Sequence, residues 1–246
     1  MKNRGIILVY HSIGSPTRNA GMRSRGLYVK TGVFSFQMWY LRAAGFRVVS
    51  LKEIVDFACG AQKNLSGRLA ALTFDDGYMD FYENAFPVLK RHGYPSTVFL
   101  VSGLAGRFNF WDGGEKGCAE RRLLDWQKAA ELSAGGVTFG SHTKTHPHLT
   151  RIAGSRLKEE ILGSRQEVED KLGMRVDFFC YPYGDYNEEV LREVKEAGFI
   201  GATTTRRGLV CMGDDLFELK RMGAGLRTWL LPSMRGILAN NAAQSG

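Results

Sequence analysis

The sequence predicts an α/β fold in which about seven βα repeats build a largely parallel sheet, closed or nearly closed into a barrel within a single domain. One observation is a recurring punctuation: a helical pattern ends at a glycine, an aromatic residue follows, and a strand begins, as at Gly45-Phe46, Gly93-Tyr94 and Gly198-Phe199. Another is the number of such units, which fits a barrel better than an open doubly wound sheet, the alternative architecture. The last is size: 246 residues with 44% hydrophobic and 24% charged content suit one sizeable core without disordered tracts.

Taken in order, residues 6–10 form a short apolar strand, too short and too quickly followed by polar residues and glycine to be a signal peptide. His11-Ser12-Ile13-Gly14-Ser15-Pro16 then opens a glycine- and arginine-rich loop reaching about Gly26. Phe34, Met38 and Leu41 recur at helical spacing, so a helix is expected over 34–44, stopped by Gly45 before a strand from Phe46. Further helices are expected over 51–58, 80–91, 121–133, 155–171 and 188–197. Strands are expected over 68–74, 97–101, 137–139 and 200–203, with another from Phe178. The domain is expected to span residues 1–239, with 240–246 as a frayed tail.

The net charge of +8 comes from scattered basic residues without a clustered stripe and interleaved aromatics, which argues against nucleic acid as a partner. The same charge would suit peripheral contact with an anionic membrane surface. No segment is apolar for long enough to span a bilayer, and no export signal is visible, so a soluble, cytoplasmic protein is expected. Cys59, Cys118, Cys180 and Cys211 are far apart and form no Cys-x-x-Cys pair, so they read as reduced thiols rather than zinc ligands or a disulfide framework. No glycine-rich phosphate loop follows any strand, which leaves a nucleotide cofactor without a seat.

Chemistry concentrates at the carboxyl ends of the expected strands. In Thr73-Phe74-Asp75-Asp76-Gly77 an apolar run ends in two adjacent carboxylates and a breaker; an Asp-Gly turn with one capping carboxylate is the alternative. In Ser141-His142-Thr143-Lys144-Thr145-His146-Pro147-His148-Leu149, His142 and His146 are four apart, a spacing that brings two imidazoles to one side of a turn. Pro147 disfavours helix at the preceding residue, so the pair is expected on a short loop or single turn. Two histidines and one carboxylate would leave a zinc ion a position for water, and a second carboxylate beside it could remove the water proton.

Together with Tyr181-Pro182-Tyr183-Gly184, these stretches resemble, in order, the motifs of the NodB-homology polysaccharide deacetylases. The likeness extends from Tyr10-His11-Ser12-Ile13 to about Arg221. It implies a distorted (β/α) barrel of about seven repeats and a metal-dependent amide hydrolase acting on N-acetylated sugars. By that resemblance Asp75 is the general base, and Asp76, His142 and His146 hold a divalent metal, Zn2+ above all. The backbone N–H of Tyr183 would stabilise the oxyanion. Many relatives supply a late histidine as general acid, but no histidine follows His148 here. The Tyr-His-x-Ile start resembles the poly-N-acetylglucosamine deacetylase subgroup, which makes His11 the candidate acid.

Cys180 stands where many relatives carry an arginine that pairs with the catalytic base, and Arg221 is the candidate replacement. Trp111, Tyr181 and Arg221 are the candidate substrate-contacting residues, Trp111 either stacking on a sugar or covering the barrel mouth. His92 is expected as a helix C-terminal cap and His148 as a solvated neighbour of the site. The expected partner is an N-acetylated glycan. The alternatives are an intracellular deacylase of a lipid- or nucleotide-linked amino sugar, and a non-catalytic glycan-binding or assembly relative.

Overall fold

The computed structural model describes residues 4–16, 26–61, 67–111 and 120–223. Ten strands are described among them: β1 (Arg4–Tyr10), β2 (Ser12–Ile13), β3 (Tyr28–Val29), β4 (Phe46–Val48), β5 (Arg68–Phe74), β6 (Thr97–Leu100), β7 (Thr138–Ser141), β8 (Phe178–Cys180), β9 (Gly201–Arg207) and β10 (Leu219–Gly223). All pairings between them are parallel, and β1 bonds to both β5 and β10, which closes a ring of seven strands and excludes the open doubly wound sheet. The distortion lies at the β5–β6 seam. β5 pairs with β1 along its full length, but its other edge is shared: Arg68 to Ala70 face β4, and only Thr73 and Phe74 reach β6.

Strand alternation sorts side chains between two cores. Ile7, Leu69, Ala71, Phe99, Phe178, Cys180 and Leu219 form one buried cluster with the helix α2 (Leu51–Ala58). Their neighbours Ile6, Leu8, Ala70, Leu72, Phe74, Val98 and Phe179 belong to the larger cluster shared with α1 (Thr31–Ala43) and the outer helices. α2 starts at a capping box in which Ser50 accepts from the Glu53 N–H and Glu53 returns the bond to Ser50. A Cβ on Gly5 would come within 2.9 Å of Ile54, so α2 packs hard against the amino end of β1.

The helices differ from expectation in instructive ways. The expected helix over 80–91 begins as a π-turn, Phe81–Ala85, and continues as α3 (Phe86–His92). Gly93 ends α3 at φ 66°, a left-handed cap that glycine adopts without strain, while His92 closes the last turn and stacks on Tyr94. The expected start at Arg121 is wrong. α4 runs only over Trp126–Ala134, capped by Asp125, because Arg122 and Leu123 pair in bridges with Phe108 and Tyr78. The charged helix over 155–171 is α5 (Gly154–Lys158), a π-turn (Glu159–Gly163) and α6 (Ser164–Leu172), and α7 spans Glu188–Glu196.

β9 runs past the expected end at Thr203 to Arg207, and β10 is unexpected, because Leu-Lys-Arg-Met-Gly carries two cations and does not resemble a buried strand. The expected tail, 240–246, and Cys118 lie outside the described residues. Cys59, Cys180 and Cys211 are free thiols. Among the described residues no helix is long and apolar enough to cross a membrane.

Candidate active site

The carboxyl ends of the barrel strands carry a cluster of buried polar groups. β5 ends at Phe74, and the ladder reaches one residue further, where the Asp75 N–H donates to the Tyr10 carbonyl at 2.9 Å. Asp76 then adopts φ 72° and Gly77 φ 69°, so the chain turns sharply and the two adjacent carboxylates diverge. Glycine suits position 77, because φ 69° strains an L side chain and a Cβ there would lie 2.6 Å from Leu100 Cδ2, which would have to give way.

Asp76 Oδ1 lies 3.4 Å from His142 Nε2 and 3.4 Å from His146 Nε2. Both histidines sit on the loop after β7, which is a turn rather than a helix: Thr143 has φ 69° and His146 φ 61°. The His146 N–H donates to Thr143 Oγ1 at 2.9 Å, closing this turn. His142 donates from Nδ1 to the Cys180 carbonyl at 2.7 Å, which in the neutral ring fixes its tautomer and turns the Nε2 lone pair toward Asp76. Asp76, His142 and His146 are at most 5% exposed.

Burial raises the pKa of Asp76, but hydrogen bonds from His142 and His146 outweigh it and hold the carboxyl well below its usual value. For His142 burial works downward, and the facing Cys180, Asp76 and Asp75 reverse it to well above the usual imidazole value. A proton and a cation therefore compete for the same imidazole nitrogen.

Asp75, 4% exposed, points into the barrel and is gripped by Arg221 of β10. Nη1 meets Oδ1 and Nη2 meets Oδ2, each at 2.7 Å. Arg221 is itself held by the Thr204 carbonyl at 3.0 Å through Nε and donates to Cys180 Sγ at 3.2 Å. Burial raises the Asp75 pKa, and the charge and hydrogen bonds of Arg221 more than offset it, leaving the carboxyl below its ordinary value. His11, 28% exposed, places Nε2 3.9 Å from Asp75 Oδ2 on the solvent side.

Aromatic residues wall the site. Trp111 stacks on His146 with centroids 4.3 Å apart, and Tyr183 meets the same imidazole edge-on at 4.6 Å. Tyr183, 43% exposed and at φ 59°, carries His148 stacked on its outer side at 4.1 Å. His148 also lies 3.5 Å from Asp185, so it belongs to the rim. Tyr181 does not reach this surface. Alternation along β8 sends Cys180 into the barrel and Tyr181 outward, where its buried ring stacks on Tyr186 and its hydroxyl donates to the Phe217 carbonyl. Its expected contact with substrate is thereby corrected, and Arg221, buried against Asp75, is likewise no surface for a ligand.

Among the described residues, two sets of three side chains could hold a cation: Asp76, His142 and His146, or Asp75, His142 and Cys180. Arg221 excludes the second, because its guanidinium already occupies Asp75 and Cys180. The first set fits. Its ligand atoms lie within 4.8 Å of one another, the tautomer of His142 is fixed, and two imidazoles with a carboxylate suit Zn2+ and similar divalent ions. The residues that sequence reading missed are Thr204, whose carbonyl steers Arg221, and Glu160, which bonds the histidine loop; neither stands in a stretch that signals chemistry.

Residues 62–202 match a protein family described as polysaccharide deacetylase. The chain is 27% identical over 216 residues to YxkH of Bacillus subtilis, covering 88% of this chain and 70% of that one. It is 26% identical over 202 residues to the poly-beta-1,6-N-acetyl-D-glucosamine N-deacetylase of Staphylococcus epidermidis, and spans 65% of that relative's length against 77% of its own. Among solved structures, IcaB from Ammonifex degensii superposes with a TM-score of 0.80 at 25% identity, covering 95% of this chain and 96% of that one.

Proposed function

The chain belongs to the polysaccharide deacetylase family, hydrolases of carbon–nitrogen bonds, and from that premise we propose that it is a divalent-metal-dependent N-deacetylase of an N-acetylated glycan. The observation that carries this reading is the pairing of two carboxylates in separate settings: Asp76 faces two imidazole Nε2 atoms, while Asp75 beside it is held by Arg221. The named activity of the S. epidermidis relative supports a poly-N-acetylglucosamine substrate.

In this reading Asp76, His142 and His146 hold the cation, with Zn2+ the ion best matched to the set. Bound there, it supplies Lewis acidity that activates water and polarises an acyl oxygen. Asp75 does the proton chemistry. Ionised through its contact with Arg221, it takes a proton from water as the new oxygen–carbon bond forms. The N–H of Tyr183 is assigned to the developing oxyanion, a contact of a type worth roughly 3 kcal/mol. His11, on the solvent side of Asp75, gives a proton to the nitrogen as the carbon–nitrogen bond breaks, releasing acetate and a free amine. Trp111 shapes the wall behind His146.

A second reading concerns where substrate is met. The net charge of +8, with Phe36 and Trp39 51% and 55% exposed on α1, favours a lipid-linked or surface-bound glycan at an anionic membrane. Sedimentation with phosphatidylserine vesicles at low salt, lost at high salt, is the expected result; absence of binding at low salt removes this second reading.

The main experiment is acetate release from a panel of N-acetylglucosamine oligomers by metal-replete protein, before and after chelation. Release that stops on chelation and returns with Zn2+ is expected. A metal-replete protein inert across the panel would count against the assignment.

A further inference from the structure

We propose that Glu160 is a positioning residue for the metal-ligand loop, fixing the peptides between His142 and His146 and thereby setting the affinity of the site for its cation. The inference rests on the functional reading above for the presence of a cation at Asp76, His142 and His146.

The starting observation is an acid out of place. Leu157, Glu160, Ile161, Ser164 and Val168 form the buried stripe of the α5–α6 helical segment, and Glu160 is 5% exposed within it. Glutamate is almost never buried without partners. Here its partners are all on one loop. The Lys144 N–H and the Thr145 N–H both donate to Oε2 at 2.9 Å, and the Thr145 hydroxyl donates to Oε1 at 2.6 Å.

These two peptides are the link between the histidines. The loop has no strand or helix to hold it, and it contains two non-glycine residues in the left-handed region, Thr143 at φ 69° and His146 at φ 61°. Such conformations persist where surrounding contacts over-determine them. Glu160 takes the N–H side of the loop, and the backbone of β6's following turn takes the carbonyl side. The Ser102 N–H donates to the Thr143 carbonyl at 3.1 Å and the Gly103 N–H to the Lys144 carbonyl at 3.0 Å. The approach is close enough that a Cβ on Gly103 would stand 2.8 Å from the Lys144 oxygen. With both sides of the linking peptides held, the spacing of His142 Nε2 and His146 Nε2 about Asp76 is set before any cation arrives. That is preorganisation of a ligand set by its outer partners, whose loss typically weakens metal binding about 10- to 100-fold.

The test is a Zn2+ affinity titration against a chromophoric chelator, paired with the Co2+ absorption spectrum and the melting temperature of the metal-free protein. Glu160→Asp keeps the charge but falls one methylene short of the loop; it should bind Zn2+ about 10- to 100-fold more weakly and shift the Co2+ bands. Glu160→Gln can keep its oxygen on both N–H groups and turn its amide toward the Thr145 hydroxyl, so it should stay within a few-fold of wild type. Thr145→Val, an exposed and nearly isosteric change, should weaken Zn2+ binding without moving the metal-free melting temperature. Wild-type affinity and spectrum in both Glu160→Asp and Thr145→Val would overturn the inference alone. A wild-type protein that binds no divalent cation would overturn the functional reading and this inference with it.

Discussion

Arg221 and Asp75 stand 146 positions apart in the chain and meet fork to fork inside the barrel, with both nitrogen–oxygen distances at 2.7 Å. The contact exists because β1 bonds to β5 on one side and to β10 on the other, so Asp75 at the tip of β5 and Arg221 on β10 face one another across β1. Cys180 lies against the same guanidinium at 3.2 Å. The cation that would be expected at Cys180 is therefore delivered to the same carboxylate from another strand.

Removing that cation should be costly in two ways. Arg221→Met leaves a buried carboxylate unpaired, a loss of about 3–5 kcal/mol in stability by chemical denaturation. It also lets burial raise the Asp75 pKa, so the acid limb of the pH–rate profile should move to higher pH. The sign for stability follows from the depressed folded-state pKa: the contribution of Asp75 is present above the unfolded value near about 4 and disappears as pH falls through the lower folded value. Cys180→Arg in the Arg221→Met background should recover part of the activity, whereas Cys180→Arg alone buries two cations together and should fold poorly. An unchanged pH–rate profile in Arg221→Met contradicts the role given to the pair.

For His11 the expectation separates proton donation from binding. His11→Gln should lower kcat by roughly 10²- to 10⁴-fold on an N-acetyl substrate while metal content stays at the wild-type level. On an activated aryl acetate, whose leaving group needs no proton, the same variant should lose little. Equal losses on both substrates would assign His11 to structure.

Asp80 gives a pH dependence of opposite sign. Burial raises its pKa to about 6, against the hydrogen bond from the Ile13 N–H at 3.1 Å, which acts downward. Between pH about 4 and about 6 the unfolded chain has released this proton while the folded protein retains it, so this site costs stability as pH rises and levels off above 6. The full effect is about 3 kcal/mol. Asp80→Asn keeps an oxygen for the Ile13 N–H and should remove the cost, giving a urea midpoint higher than wild type at pH 7 but equal to it near pH 4. A difference that does not change with pH contradicts this account.

The parts of the site that were legible in the sequence are those set by local chain geometry. Asp75 and Asp76 leave one strand tip, and His142 and His146 share one turn, so adjacency and spacing announced them. Arg221 was legible only through the resemblance, as the candidate partner of the catalytic base; the contact itself depends on barrel closure between strands far apart in sequence, and β10 lacks the apolar pattern of a strand. Tyr181 follows Cys180 by one residue and so turns away from the barrel toward Tyr186, a direction that a motif does not reveal. α4 was begun too early because Arg121 to Asp125 carry apolar residues that serve short bridges instead of a helical face. Glu160 passed unnoticed because an acid in a charged helix looks like part of a solvated surface. Its burial and its contacts with Lys144 and Thr145 distinguish it.

The most direct measurement of the central claim compares Asp75→Asn with His142→Ala for zinc content and acetate release on one active glycan. The account predicts that Asp75→Asn keeps about one equivalent of zinc and loses nearly all turnover, at least roughly 10²-fold, whereas His142→Ala loses both. Retention of turnover by Asp75→Asn, or full zinc occupancy in His142→Ala, would contradict the division of labour between the two adjacent aspartates.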